Sequence, residues 1–173
     1  MKRLIIVGKG GSGKDYMRKI LEDRGFRYCV SHTTRPPRDG EVNGDDYYFI
    51  SDEDARKNYI GGGLFYEHVS FNNWIYGTSK KEFEVSNLFI MTPTGLGSMG
   101  KKDREESIVV YLDIDEGIRR DRLSLRNDAD ILERRLKADE LDFSGFKDFD
   151  VRITDPMFKD LGEWGNLKFY DND

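Results

Sequence analysis

The chain has 173 residues, enough for one ordinary domain with a single substantial core. Apolar residues make up 37% and charged residues 35%, and eleven Phe with nine Tyr supply aromatic surface to bury, which excludes a disordered chain. A formal net charge of −5 excludes whole-molecule attraction to nucleic acid or an anionic membrane, and a single cysteine excludes an intrachain disulfide. That cysteine, Cys29, stands in the apolar stretch "YCV" and reads as a buried structural thiol. No stretch approaches the apolar length of a membrane span and the first residues carry no signal-peptide pattern, so a soluble cytoplasmic protein is expected.

"RLIIVG" (3–8) is a continuous apolar run ending at glycine, the pattern of a strand buried on both faces. A helical pattern follows, with Met17, Ile20 and Leu21 on one face and Gly25 as its stop. Between them lies "GKGGSGKD", in which Gly8, Gly13 and Lys14 fit the phosphate-binding pattern G-x-x-x-x-G-K-[ST], while Asp15 replaces the final hydroxyl. Strand, glycine loop and helix are the context this motif needs. Successive backbone N–H groups of Gly8, Gly10, Gly11, Ser12 and Gly13, with the helix N-terminus, face an anion, and Lys14 adds a full charge.

"RYCVS" (27–31) reads as a second strand, and "HTTRPPRDGEVNGDDYYFIS" as a projecting loop that ends in the strand "DYYFI". "SDED" opens a short helix that "GGG" (61–63) breaks, and "LFYEHVSFNNWIYGT" reads as a hairpin turning at "NN". A short helix (79–86) and the strand "NLFIMT" (87–92) follow. "GLGSMGKKDREE" is expected to be a glycine-broken connection without a long helix. "SIVVYLDI" is a fourth strand, after which Asp115 caps a helix carrying Ile118, Arg122 and Leu125. "RNDAD" interrupts it, a further helix carries Ile131, Leu132, Arg135 and Leu136, and "FDVRIT" (149–154) is a fifth strand. Strands alternating with helices imply a parallel sheet covered on both faces, with ligands at the carboxyl ends of the strands. His32 and His68 are too few and too scattered for a metal site.

"SHTTRPPRDGEVNGDDYYF" (31–49) closely resembles the S-x-T-T-R-x-P-R-x-G-E-x-x-G-x-D-Y segment of the guanylate kinase family. Glu67 nine residues before "YGT" (76–78), "RLSLR" (122–126), "ERRL" (133–136) and "FDVRIT" extend the resemblance over residues 3 to 155. It implies the α/β P-loop nucleoside monophosphate kinase fold. That fold is a five-stranded parallel sheet flanked by helices, with a small mixed α/β GMP-binding insertion and a short helical lid. The expected division is one domain, 1–173, with core 1–31, 79–120 and 141–173, insertion 32–78 and lid 121–140.

The implied activity is transfer of the ATP γ-phosphoryl group to GMP or dGMP. On the resemblance, Arg35 and Arg38 grip the acceptor phosphate, with Tyr47 and Tyr76 donating hydrogen bonds; arginine's planar fork suits phosphate oxygens. Glu67 accepts the adjacent N1–H and N2–H₂ donors of guanine, and Ser31 and Thr78 meet its O6. Arg122, Arg126 and Arg135 are the lid arginines, acting with Lys14 on the transferring phosphoryl group. ATP is the expected donor, Mg²⁺ the expected cofactor with Asp15 as its candidate ligand, and nucleotides the expected partners, with no nucleic acid and no membrane. Whether the protein is a monomer or a homodimer stays open. A second class also fits: a non-catalytic guanylate kinase-like module that binds a phosphorylated partner or a nucleotide. Such relatives tend to lose the P-loop and lid residues that stand here. Three departures remain. Asp15 replaces the P-loop hydroxyl, Thr92 falls where the family has an aspartate, and the lid between Arg126 and Arg135 is two residues short.

Overall fold

The computed structural model describes residues 2–125 and 129–159, with the side chains of 129–131 excluded. Strand β1 (Arg3–Gly8) runs through the middle of a four-stranded parallel sheet and is flanked by β6 (Leu88–Ile90) and β7 (Ser107–Leu112). Beyond β7 lies β8 (Val151–Ile153), again parallel. Side chains alternate across a strand, so a strand covered on both faces must be apolar at every position. Leu4 and Ile6 accordingly join Met17 and Leu21 of helix α1 (Lys14–Asp23) in one core layer. Ile5 and Val7 join Phe89, Tyr111 and Phe143 in the layer on the opposite face.

The expected strand at 27–31 shrinks to one contact. Tyr28 forms a single parallel bridge to Leu88, and the Cys29 N–H donates to the Leu88 carbonyl at 2.8 Å. The chain then leaves for a second sheet, so its pairing is split between two partners. Cys29 is buried, and burial pushes its thiol pKa well up, as a structural cysteine requires.

The second sheet is drawn entirely from residues 32–79. It consists of β2 (His32–Thr33), β3 (Tyr48–Phe49), β4 (Phe65–Phe71) and β5 (Trp74–Ser79), in the order β3-β2-β5-β4. The pair β2/β3 is parallel and the rest antiparallel. Asn72 and Asn73 make the hairpin turn with φ of 54° and 66°, the doubly left-handed turn that asparagine tolerates. Ser51 caps α2 (Asp52–Asp54) by accepting from the Asp54 N–H, and the helix continues as a wider turn to Ile60. Helix α3 (Lys80–Val85) leads back to β6.

The connection after β6 is more ordered than its glycines imply. It forms two short helices, α4 (Pro93–Gly97) and α5 (Lys101–Glu105). The Thr92 hydroxyl accepts the Gly95 N–H at 3.0 Å and Pro93 occupies the first helical position, so a cap and a preset φ overcome two weak helix formers. Helix α6 (Glu116–Ser124) is capped by Asp115, which accepts from Gly117 and Ile118. Helix α7 (Ala129–Asp142) completes the elements. Among the described residues no helix is long and apolar enough to cross a membrane.

Candidate active site

A cavity of about 530 Å³ opens where the carboxyl ends of β1 and β6 face the second sheet. That is the size of a small-molecule site, roughly 300–1,000 Å³. Three parts of the chain supply most of its lining, and helix α7 adds Arg135, Asp139 and Asp142.

The loop after β1 supplies the first. Gly13 has φ of 95° and Gly11 75°, which turns the loop sharply into α1 without strain at residues lacking a Cβ. Lys14 Nζ donates to the carbonyls of Gly8 at 2.7 Å and Lys9 at 3.1 Å, holding the loop closed on itself. Gly8, Gly10 and Lys14 line the cavity, whereas Gly11, Ser12 and Gly13 form the loop behind them. Asp15 is exposed on the first turn of α1.

The loop from β2 to β3 supplies the second. Arg35 is only 4% exposed, donates to Glu41 Oε1 at 2.8 Å and to the Pro36 carbonyl at 2.7 Å, and lies over the rings of Tyr47 and Phe49. Burial works against its charge, but the Glu41 carboxylate, with Tyr76 and Tyr47, outweighs it and holds the pKa above the ordinary value. Glu41 also accepts the Arg38 backbone N–H at 2.6 Å, and so fixes both arginines. Burial, then the charges of Arg135 and Arg35, pull the Arg38 guanidinium down. Cations gathered in this way are stabilised by a bound anion. Tyr47 and Tyr76 meet edge-on with ring centres 6.1 Å apart. Burial pushes Tyr47 up to about 12, which keeps it a neutral hydrogen-bond donor.

The hairpin supplies the third. Glu67 is 8% exposed and accepts the Thr78 hydroxyl at 2.7 Å through Oε1. Its other oxygen, Oε2, would lie 3.1 Å from a Cβ placed on Gly95, so α4 packs closely against the carboxylate. Burial raises its pKa, with the Thr78 hydrogen bonds opposing that shift. A buried carboxylate held by Thr78 at the cavity wall suits a ligand offering paired N–H donors. Ser31, half-buried, lines the same end.

The Guanylate kinase family model matches residues 1–91 of the chain, more than half of its length. A guanylate kinase of Rubrobacter xylanophilus is 30% identical over 168 residues, which cover 91% of this chain and 87% of that protein. The chain belongs to the guanylate kinase family. A pig guanylate kinase (Sus scrofa) is 44% identical over 80 residues, 44% of this chain and 40% of the pig protein; the human one is 42% identical over a stretch of the same length and coverage. The chain thus spans less than half the length of these two relatives. The solved guanylate kinase structure from Anaplasma phagocytophilum superimposes with a TM-score of 0.67 at 24% identity, covering 95% of this chain and 80% of that one, a likeness of fold.

Apart from Gly11, Ser12, Gly13 and Asp15, placed above, the residues expected from the guanylate kinase resemblance divide into three sets. Gly8, Gly10, Lys14, Ser31, Arg35, Arg38, Tyr47, Glu67, Tyr76 and Arg135 share the cavity, with Thr78 bound to Glu67 at its edge. Arg122 points elsewhere: it donates to the Gly11 carbonyl at 3.1 Å and the Pro156 carbonyl at 3.0 Å, tying the P-loop to the segment after β8. Arg126 lies outside the described residues. Arg135, on α7, has a buried Nε without a hydrogen-bond partner and stands against Gly10.

Sequence reasoning passed over three residues that the guanylate kinase fold brings in. Glu41 organises both arginines, and its place in "RDGE", three residues after Arg38, was a usable signal. Asp139 and Asp142 line the cavity from α7. They lie four and seven residues after Arg135, on the same helical face, so the spacing in "RLKADELD" could have found them. Thr92, where the family has an aspartate, is the α4 cap, and Asp142 reaches this region by accepting the Thr94 hydroxyl at 2.7 Å.

Proposed function

We propose that the chain is an ATP-dependent guanylate kinase that transfers the γ-phosphoryl group to GMP or dGMP, giving ADP and GDP or dGDP. One observation carries this reading. The buried Glu67–Thr78 pair, the Arg35–Arg38–Tyr47–Tyr76 group, the glycine loop with Lys14, and Arg135 of α7 border one continuous cavity. In that order they fit a guanine, its phosphate, the donor phosphates and the space between the two nucleotides. Residues 32–78 then serve as the acceptor-binding unit, and 121–140 as the lid.

In the transfer, an oxygen of the GMP phosphate attacks the γ-phosphorus of ATP. The bond from that phosphorus to the β,γ-bridging oxygen breaks, and its electron pair leaves on ADP. The acceptor oxygen is already anionic, so no strong general base is required. The protein's task is positioning and charge neutralisation. Arg35 and Arg38 orient the acceptor, Lys14 and the loop amides hold the donor, and Arg135 meets charge on the phosphoryl group in flight. Glu67 selects guanine by accepting two N–H donors that adenine lacks.

Magnesium usually takes only one or two carboxylates beside phosphate oxygens and waters. Among the described residues no group of three potential ligands gathers, and the exposed Asp15 carboxylate, next to Lys14 at the α1 N-terminus, fits that sparse requirement. Asp15 would hold the ion, whose chemistry is neutralisation of the donor phosphates. A module that only docks a phosphorylated partner would leave Lys14 and Arg135 without work at the donor end. Coupled ADP release across GMP, dGMP, AMP, CMP and UMP tests the assignment: turnover with the guanine nucleotides is expected, and equal turnover of AMP and GMP overturns it.

A further inference from the structure

The P-loop contains a contact that no nucleotide-binding motif specifies. The N–H of Gly10 donates to Oδ2 of Asp139 at 2.7 Å, across 129 residues of sequence. Asp139 is 7% exposed, so this is a carboxylate taken out of water and set on a backbone amide. The contact is tight from both sides. A Cβ on Gly10 would stand 2.9 Å from Asp139 Oδ2 and 2.8 Å from Arg135 Nε, so glycine lets α7 approach the loop.

The chemistry of that amide conflicts with its partner. Backbone N–H groups of a glycine loop entering a helix recognise anions, and the loop's value lies in offering them to phosphate. A carboxylate is an anion of the same charge sign with an equivalent acceptor oxygen. Asp139 therefore stands on Gly10 as a phosphate oxygen would. One helical turn away on the same face is Arg135, whose buried Nε has no partner. An incoming phosphate repels the first of these side chains and attracts the second.

We propose that Asp139 is a surrogate anion in the phosphate cradle, competing with the donor's phosphate for the Gly10 N–H, and that this residue sets the protein's affinity for ATP. Donor binding exchanges the Gly10–Asp139 bond for Gly10–phosphate and Arg135–phosphate bonds. Because Asp139 and Arg135 belong to one helix, the exchange makes the position of α7 depend on donor occupancy. Asp139 acts through the amide and is a positioning residue. The proposal rests on the phosphoryl-transfer reading for the identity of the anion alone.

The test is direct titration of the full chain, without acceptor, using ATP and, separately, inorganic tripolyphosphate, for wild type, Asp139→Asn and Asp139→Ala. Asp139→Ala should bind both ligands about tenfold more tightly, the scale of one charge-assisted hydrogen bond that no longer has to be broken. Asp139→Asn, which keeps an acceptor oxygen but no charge, should fall between. Hydrogen exchange at the Gly10 amide should be faster in Asp139→Ala than in wild type. Unchanged or weaker binding in both variants overturns the proposal, and so does a gain with ATP that tripolyphosphate does not share. Unchanged Gly10 protection also overturns it. The two readings separate cleanly. Tighter ATP binding in a protein that transfers nothing to GMP would keep the surrogate anion and remove the kinase, while an active kinase with indifferent Asp139 variants would do the reverse.

Discussion

Replacing Glu67 with alanine should remove base selection and leave the rest of the site standing. The carboxylate is 8% exposed, and one of its oxygens already has Thr78 as a donor at 2.7 Å. Guanine brings two more donors, N1–H and N2–H₂, and each charge-assisted bond contributes about 1.5–3 kcal/mol. In the alanine variant both donors lose the partner that the buried carboxylate supplied. The expected loss is about 3–5 kcal/mol, or about 10²–10³-fold or more in kcat/KM for GMP. AMP cannot use the carboxylate, so its turnover should not fall. Glu67→Gln sharpens the test. Its carbonyl oxygen can accept and its amide can donate, a pattern that opposes guanine and suits adenine's N1 and N6. The GMP-to-AMP ratio should therefore narrow from both sides in a coupled ADP-release assay. A Glu67→Ala variant that loses GMP and AMP turnover in equal proportion would refute the reasoning, because it would make Glu67 a structural carboxylate.

Arg38→Ala should raise KM for GMP at least tenfold and lower kcat, with ATP affinity nearly intact, and Glu41→Ala should shift KM the same way by releasing Arg35; an equal fall in ATP affinity would dissolve the separation of the two ends. His32 is buried among Tyr48, Tyr59 and Phe65, and burial, only partly offset by Asp54, lowers its pKa from 6.5 to about 4. The unfolded chain therefore takes up the proton first, so the stability tied to neutral His32 is complete above pH 6.5 and drains away as pH falls toward 4, by about 2–3 kcal/mol. Denaturant unfolding at pH 7.5, 6 and 5 should show this slope in wild type and a shallower one in His32→Phe; parallel curves would contradict it. Asp15→Ser should bind metal-free ATP more strongly and depend less steeply on magnesium, since it removes a negative charge beside a polyanion. Identical magnesium curves would leave Asp15 as a favourable charge at the α1 N-terminus, a contribution of about 0.3–1 kcal/mol.

The parts legible in the sequence are those encoded by neighbours. "RLIIVG" read as a two-faced strand because Leu4, Ile5, Ile6 and Val7 are all apolar and a glycine ends the run, and "NN" between two β-rich runs could only turn one way. The acceptor loop was legible because its arginines, prolines and tyrosines sit within seventeen residues and carry a family pattern. What escaped depends on long-range approach. Tyr28 had strand composition, but the pull of the second sheet on His32 and Thr33 left it one bridge. The helices after β6 were hidden by glycine, whose low propensity was overridden by the Thr92 cap, Pro93 and the burial of Leu96 and Met99. Arg122 carried the lid pattern, yet it lies against the Gly11 and Pro156 carbonyls. Asp139 had only its helical spacing from Arg135 to recommend it, and no local rule brings α7 to Gly10.

The most direct test of the account is transfer of label from γ-labelled ATP in the presence of GMP and magnesium, with the products separated and located. Label is expected at the β-phosphate of GDP, strongly reduced by Lys14→Ala and nearly absent when AMP replaces GMP. Label released only as inorganic phosphate, or passed equally to AMP and GMP, would contradict it.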